Sequence, residues 1–171
     1  MAKREALREL QARLAERMLA VRSEVAGVSW LAVDCGGRGL LFPLAQAGEI
    51  FDVAAVLPVP HTKLWFAGVA NLRGGLHAVV DLAAFLGLKA AVTPEQSRLV
   101  ALNPSLGANC ALRVDRLEGL RHAADLTRLP DESQPRPSFA SGRWRDAAGR
   151  QWQEIALAEL ACNVQFLAVS R

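Results

Sequence analysis

The chain has 171 residues, of which 51% are hydrophobic, and a formal net charge of +3. That hydrophobic content excludes a mostly disordered chain, and the length suits one domain or two small ones sharing a core. Charge is spread evenly: residues 1–26 hold six Lys or Arg against four acids and the remainder fourteen against thirteen, which is no clustered footprint for nucleic acid.

Three cysteines, Cys35, Cys110 and Cys162, lie far apart with no CxxC or Cys/His zinc spacing. They predict small buried thiols in a reduced, cytoplasmic protein. No apolar run approaches the roughly 20 residues needed to span a bilayer. The charged N-terminus lacks the apolar centre of a signal peptide.

Residues 2–26 read as a helix, with Leu7, Leu10, Leu14, Met18 or Val21, and Val25 forming one apolar stripe, and with Gly27 as its stop. Packing on the domain body and association with a partner or a second copy are open to it, and membrane-surface binding less so, because its polar face mixes both signs. Ser29–Asp34 alternates as a strand, Gly36–Gly39 is a hairpin turn, and Gly39–Leu44 is the partner strand, which Pro43 marks as ending early or lying at an edge. No GK[ST] follows the glycines, so they are not a phosphate loop. After a turn at Ala45–Gly48, a strand starts at Glu49 and runs to Val53.

The most informative stretch is 58–87. Pro58 and Pro60 close the preceding segment, since neither can donate to a ladder. Gly68–Arg73 reads as a strand, Gly74-Gly75 as the turn, Leu76–Asp81 as the returning strand, Leu82–Leu86 as a short helix, and Gly87 as its stop. The segment 90–96 is a loop. Ser97–Leu102 is a strand with Leu99 and Ala101 on one face and Val100 and Leu102 on the other. After a turn at Asn103–Gly107, Asn109–Leu117 is a strand presenting Cys110, Leu112 and Val114 to one side, and Glu118-Gly119 turns the chain into 120–123.

A proline-rich loop covers 129–137. Ser138–Arg145 and Gln151–Leu157 form a hairpin, Ala158–Ala161 is one helical turn, and Val164–Val169 is a short helix or a last strand. Some ten short strands with closely spaced turns indicate an all-β barrel or sandwich with terminal helices.

The 58–87 stretch also carries a resemblance. Val-Pro, then Trp65, then Gly68-Val69-x-Asn71-Leu72-Arg73-Gly74, then an apolar strand ending in Asp81-Leu82, resembles the CheW family of chemosensory coupling proteins without a gap over about thirty residues. Weaker resemblance extends from Trp30 to the C-terminus, including Glu49-Ile50 and Val114-Asp115. The form Gly68-Val-Ala-Asn71, with a helical N-terminal extension, is most similar to the branch that serves type IV pili and twitching motility.

The resemblance implies a mainly β fold. Two small five-stranded β-barrels share a hydrophobic core, with the C-terminal residues returning to the first barrel. Residues 1–27 would be a helical extension and 28–171 the domain. The resemblance also implies a non-catalytic adaptor, with no cofactor and no metal. Its partners would be the regulatory domain of a CheA-type histidine kinase, met edge-on by the first barrel, and the cytoplasmic tip of a chemoreceptor, received between the barrels. Nucleic acid and direct membrane insertion are not expected; association with membrane-bound receptor arrays is.

Positions matching the family's receptor contacts are Ala47, Glu49, Ile50, Gly68, Asn71, Leu72, Arg73 and Gly74. Small Ala47 and Gly68 would let a helix approach, Ile50 and Leu72 would offer apolar area, and Arg73, its stem partly buried, would pair with Glu49. Lys63 stands where the family often has Pro, which predicts a less rigid approach to Trp65.

The other classes weighed are a CheW paralogue of a flagellar system and a small enzyme without a recognisable motif. No GxSxG, HExxH or P-loop occurs, and neither His61, His77 nor His122 sits beside a nucleophile or at ligand spacing to another histidine. At 171 residues there is no room for the kinase's ATP-binding and phosphotransfer domains.

Overall fold

The computed structural model describes residues 27–131 and 134–171. The helix expected over residues 2–26 lies outside them. Eleven strands form: β1 (Ser29–Cys35), β2 (Arg38–Pro43), β3 (Ala47–Asp52), β4 (Phe66–Leu72), β5 (Gly75–Asp81), β6 (Arg98–Leu102), β7 (Cys110–Val114), β8 (Arg116–His122), β9 (Leu126–Arg128), β10 (Ala140–Asp146) and β11 (Gln151–Ile155). Among the described residues three short α-helices accompany them: α1 (Leu82–Phe85), α2 (Leu157–Cys162) and α3 (Val164–Leu167).

The strands make two sheets, one of six in the order β8-β1-β2-β11-β10-β9 and one of five in the order β3-β6-β7-β5-β4. The six-stranded sheet must curl, because its two edge strands, β8 and β9, are consecutive in the chain and joined only by Ala123–Asp125. Its inside is filled by Trp30, Ala32, Leu41, Leu126 and Trp152. The five-stranded sheet encloses Ala70, Leu72, Val79, Leu99, Ala101 and Ala111. Between the sheets lies the largest core, with Val33, Phe42, Val100, Leu112, Val114, Ile155, Leu157 and Leu160 among its members.

The division of labour on β6 follows the predicted alternation. Leu99 and Ala101 enter the five-stranded barrel, while Val100 and Leu102 face the shared core. Cys110, Leu112 and Val114 also face the shared core, as the period of two requires. The C-terminal strands return to the first sheet: β11 pairs with β2 in parallel, Trp152 opposite Gly39. A Cβ on Gly39 would lie 2.7 Å from the Trp152 ring, so this pairing needs glycine there.

Several expectations are corrected. The first sheet has six strands rather than five, because Leu126–Arg128 adds a three-residue strand against β10. Glu118-Gly119 does not turn the chain; β8 runs through it with a bulge, Ala32 pairing with Gly119 and Val33 with Leu117. The break falls earlier, at Asp115. Its side chain is 4% exposed and accepts hydrogen bonds from the backbone N–H groups of Gly36 and Ala91, both at 2.8 Å. That carboxylate ties the β1–β2 turn to the loop after α1. The C-terminal apolar tail resolves as helix α3, capped by the Asn163 side chain, which accepts from the N–H groups of Gln165 and Phe166. Cys162 is exposed, not buried.

Candidate partner-binding surface

The motif at 68–74 builds the β4–β5 hairpin. Leu72 pairs with Gly75, so the two-residue turn is Arg73-Gly74, one residue earlier than glycine content predicts. Both turn residues have positive φ, 49° for Arg73 and 82° for Gly74. Two consecutive positive φ values match the twist of the flanking strands. The Asn71 side chain accepts the Gly74 N–H at 2.8 Å, which holds the turn closed. The local wording Asn-Leu-Arg-Gly therefore has a backbone reason at three of its positions. Asn71 braces the turn, Leu72 anchors it inside the barrel at 4% exposure, and Gly74 takes φ without strain.

Arg73 is held in a left-handed conformation that costs a non-glycine residue on the order of 1 kcal/mol. Its head reaches across to β3. β3 and β4 are the two ends of the five-stranded sheet, and Arg73 Nη1 lies 2.5 Å from Glu49 Oε1, closing the seam between them. Phe51 of β3 and His77 of β5 add a second contact across the same seam, ring centroids 6.4 Å apart. The expected Glu49–Arg73 pair thus forms, but with side chains 42% and 77% exposed. The partly buried arginine stem is corrected: a turn residue at the rim has no core to lie along.

Gly68 has a different task. Its φ is 139°, and a Cβ there would lie 2.1 Å from the Leu57 carbonyl oxygen. Leu57 and Val69 exchange two backbone hydrogen bonds of 2.8 and 2.9 Å, so the segment before Pro58 crosses directly over β4 at this glycine. The prolines at 58 and 60 then end the pairing.

Lys63, standing where the resemblance leads one to expect proline, donates its backbone N–H to Val169 at 2.9 Å. Proline could not make that bond. The approach to Trp65 is accordingly tied to the C-terminal tail rather than loosened. Trp65 stacks on Phe166 of α3 (6.2 Å, 8°) and meets Phe85 of α1 edge-on (5.1 Å, 83°).

Of the eight expected contact positions, Glu49, Ile50, Asn71, Arg73 and Gly74 are exposed, and Ala47, Gly68 and Leu72 are buried. Ala47 faces the shared core, Leu72 the barrel interior, and Gly68 lies under Leu57. Leu72 therefore offers no apolar surface. Ile50, 40% exposed, does, and so does Leu76 at 65%, which sequence alone did not single out. Alternation places Ile50, Asn71 and Leu76 on the outer face of the barrel: Ile50 pairs with Val100, and Asn71 with Leu76. An apolar residue on the outward register of a hairpin strand is the signal that could have found Leu76.

The titratable groups do not converge here. Among the described residues, no group of three or more His, Cys, Asp or Glu is placed to hold a metal ion. Burial pushes the thiols of Cys35 and Cys110 up to about 12, so both stay protonated at neutral pH. The structure does put one histidine beside a hydroxyl: Ser29 Oγ is 2.9 Å from His122 Nδ1. The two residues are register partners on β1 and β8, and Ser29 also donates to the Gly27 carbonyl at 3.1 Å, which makes this an exposed cross-strand contact. No helix among the described residues is long and apolar enough to cross a membrane.

Comparison with known proteins agrees with this architecture. The chain is 32% identical over 110 residues to protein PilI of Pseudomonas aeruginosa, a match covering 64% of this chain and 61% of PilI. It is 28% identical over 115 residues to the chemotaxis protein CheW of Rhizobium meliloti, covering 67% of this chain and 70% of that protein. Among solved structures, the scaffolding protein CheW of Thermoanaerobacter tengcongensis superposes with a TM-score of 0.64 at 17% identity, covering 75% of this chain and 88% of that one. Residues 29–163 match the CheW-like domain, and the chain belongs to that family.

Proposed function

We propose that this protein is a non-catalytic adaptor that joins chemoreceptors to a CheA-type histidine kinase, in the chemosensory system that controls type IV pili. The similarity to PilI supports the pilus assignment. The observation that carries the adaptor reading is the seam of the five-stranded barrel. There Glu49, Ile50, Asn71, Arg73 and Gly74 stand exposed around a braced turn.

Such a surface suits recognition of a helical tip. It offers one planar guanidinium fork held by Glu49, the amide of the turn-bracing Asn71, and apolar area from Ile50 and Leu76. Ala47, Gly68 and Leu72 position it from behind. The kinase's regulatory domain would meet the edge of the six-stranded barrel, away from this seam.

Reconstitution with receptor-bearing membranes and the kinase tests the reading. Kinase autophosphorylation should rise only when adaptor and receptor are both present. Arg73→Ala and Glu49→Ala should each reduce that rise while kinase binding is retained. Phosphate incorporation into this chain alone, or equal stimulation without receptor, would overturn it.

A further inference from the structure

We propose that a second surface, on the six-stranded barrel, binds an acidic segment of a protein partner through arginine–carboxylate pairs. A cavity of about 410 Å³ opens where β2, β11 and β10 lie side by side. Arg38, Arg143, Arg150, Gln151 and Gln153 line it, and no Asp or Glu does.

The strand register explains this concentration of charge. Trp152 pairs with Gly39, and Arg38 and Gln151 each precede that parallel pair by one residue. Gln151 is in turn opposite Arg145, and Gln153 opposite Arg143. Alternation therefore puts Arg38, Gln151 and Arg145 in one row across three strands, about 4.8 Å apart per strand. Arg143 and Gln153 stand in the next row of the same face.

The charges on this face differ in how they are compensated. Arg150 lies over the Trp152 ring at 4.4 Å and pairs with Asp34 at 2.6 Å and Glu118 at 3.4 Å, so it forms a fixed wall. Arg143 donates to the Pro130 carbonyl. The side chains of Arg38 and Arg145 are exposed and make no ion pair with any described residue. They are the two cations left to meet a partner.

Carboxylate fits better than phosphate. A phosphate site at a glycine turn works through a nest of free backbone N–H groups. Here the N–H of Gly36 is already given to Asp115 and that of Gly37 to Asp34. Gln153 Nε2 is likewise given to the Gly142 and Glu154 carbonyls. What remains is the planar guanidinium forks of Arg38 and Arg145 with the Gln151 amide between them, which suits carboxylate side chains presented along an extended or helical segment.

Fluorescence anisotropy of a fluorescein-labelled hexaglutamate peptide, titrated with the full chain at low salt, tests this, with hexaglutamine as control. Saturable binding to hexaglutamate alone is expected, weakening as salt rises. The double variant Arg38→Glu/Arg145→Glu should bind about tenfold or more weakly, while Arg98→Ala on the other barrel, where Arg98 pairs with Asp52, should bind as the parent does. Circular dichroism confirms that the variants are folded, and Arg38→Gln/Arg145→Gln gives a neutral check at the same positions. Unchanged binding by both double variants, no preference over hexaglutamine, or loss in Arg98→Ala would overturn the proposal. So would displacement of the peptide by inorganic phosphate beyond that by chloride at equal ionic strength.

Discussion

The two ends of β5 carry the same chemistry and do opposite things. At its inner end, Asp81 accepts from Arg113 Nη2 at 2.6 Å, with side chains 18% and 20% exposed. At its outer end, the turn residue Arg73 meets Glu49 at 2.5 Å, with 77% and 42% exposed. Distance does not separate them; surroundings do. Asp81 also caps α1 through the Ala84 N–H and donates its own N–H to the Trp65 carbonyl, so its carboxylate is one joint in a packed network. Among the described residues Glu49 and Arg73 form an ion pair only with each other, and both side chains are exposed. The comparison teaches that the inner pair holds the fold, while the outer pair can exchange its partner at little cost.

The strongest way to break this contrast is to unpack the inner end. Phe166 is 6% exposed and touches both Trp65 and Phe85. Phe166→Ala should cost about 3–4 kcal/mol, read as a lower urea midpoint with little change in slope. A loss under about 1 kcal/mol would show that α3 is not part of the core.

Gly68→Ala should cost about 3 kcal/mol, because a Cβ has no room against the Leu57 carbonyl and the φ of 139° suits only glycine. Thermal melting checks it; a melting temperature equal to the parent's would mean the Leu57 crossing can shift away.

Arg113→Ala should cost about 2 kcal/mol by leaving a mostly buried carboxylate unpaired. Asp81→Asn keeps an oxygen for the helix cap and isolates the charge, so the Arg113→Ala/Asp81→Asn cycle should show coupling above about 1 kcal/mol. The same cycle on Arg73 and Glu49 should give about 0–1 kcal/mol, even though both single variants impair receptor coupling. Equal couplings at the two ends would erase the distinction drawn here.

The smallest effect is at the thiols. Burial pushes the folded thiols of Cys35 and Cys110 up from 9.0 to about 12. Their folded pKa is raised, so the stability they confer is complete below about pH 9 and falls as pH rises from 9 towards 12, where the unfolded chain ionises first. Native protein should accordingly release one thiol equivalent to Ellman's reagent, from exposed Cys162, and three when unfolded. Rapid reaction of all three in the native state would mean the shared core opens readily.

The contrast between local and non-local information runs through the whole chain. The faces of β6 and β7 were legible because a period of two assigns each apolar residue to a side without knowledge of partners. The hairpin of β4 and β5 was legible from Gly74-Gly75, although the turn itself falls one residue earlier, at Arg73-Gly74, where the Asn71 side chain holds it. Leu126–Arg128 was not, because three residues carry no period and become a strand only when β10 lies beside them. Gly119 looked like a turn because the same residue serves turns and bulges, and only the run of β1 alongside selects the bulge.

The candidate surface divides the same way. The resemblance to the CheW family named its eight positions and the Glu49–Arg73 pairing. Which of them face out was decided by the curling of the five-stranded sheet, which turned Leu72 inward, buried Gly68 under Leu57 and left Leu76 in water. The sequence by itself determined the strands with clear alternation, the presence of a hairpin at the glycine pair, and the family. Only the tertiary structure decided that β11 lies parallel to β2, that Arg38 and Arg145 therefore share a row, and which ion pair is sheltered. Each of those depends on chain segments distant in sequence, whose meeting is set by packing across the shared core and not by any property of the residues that meet.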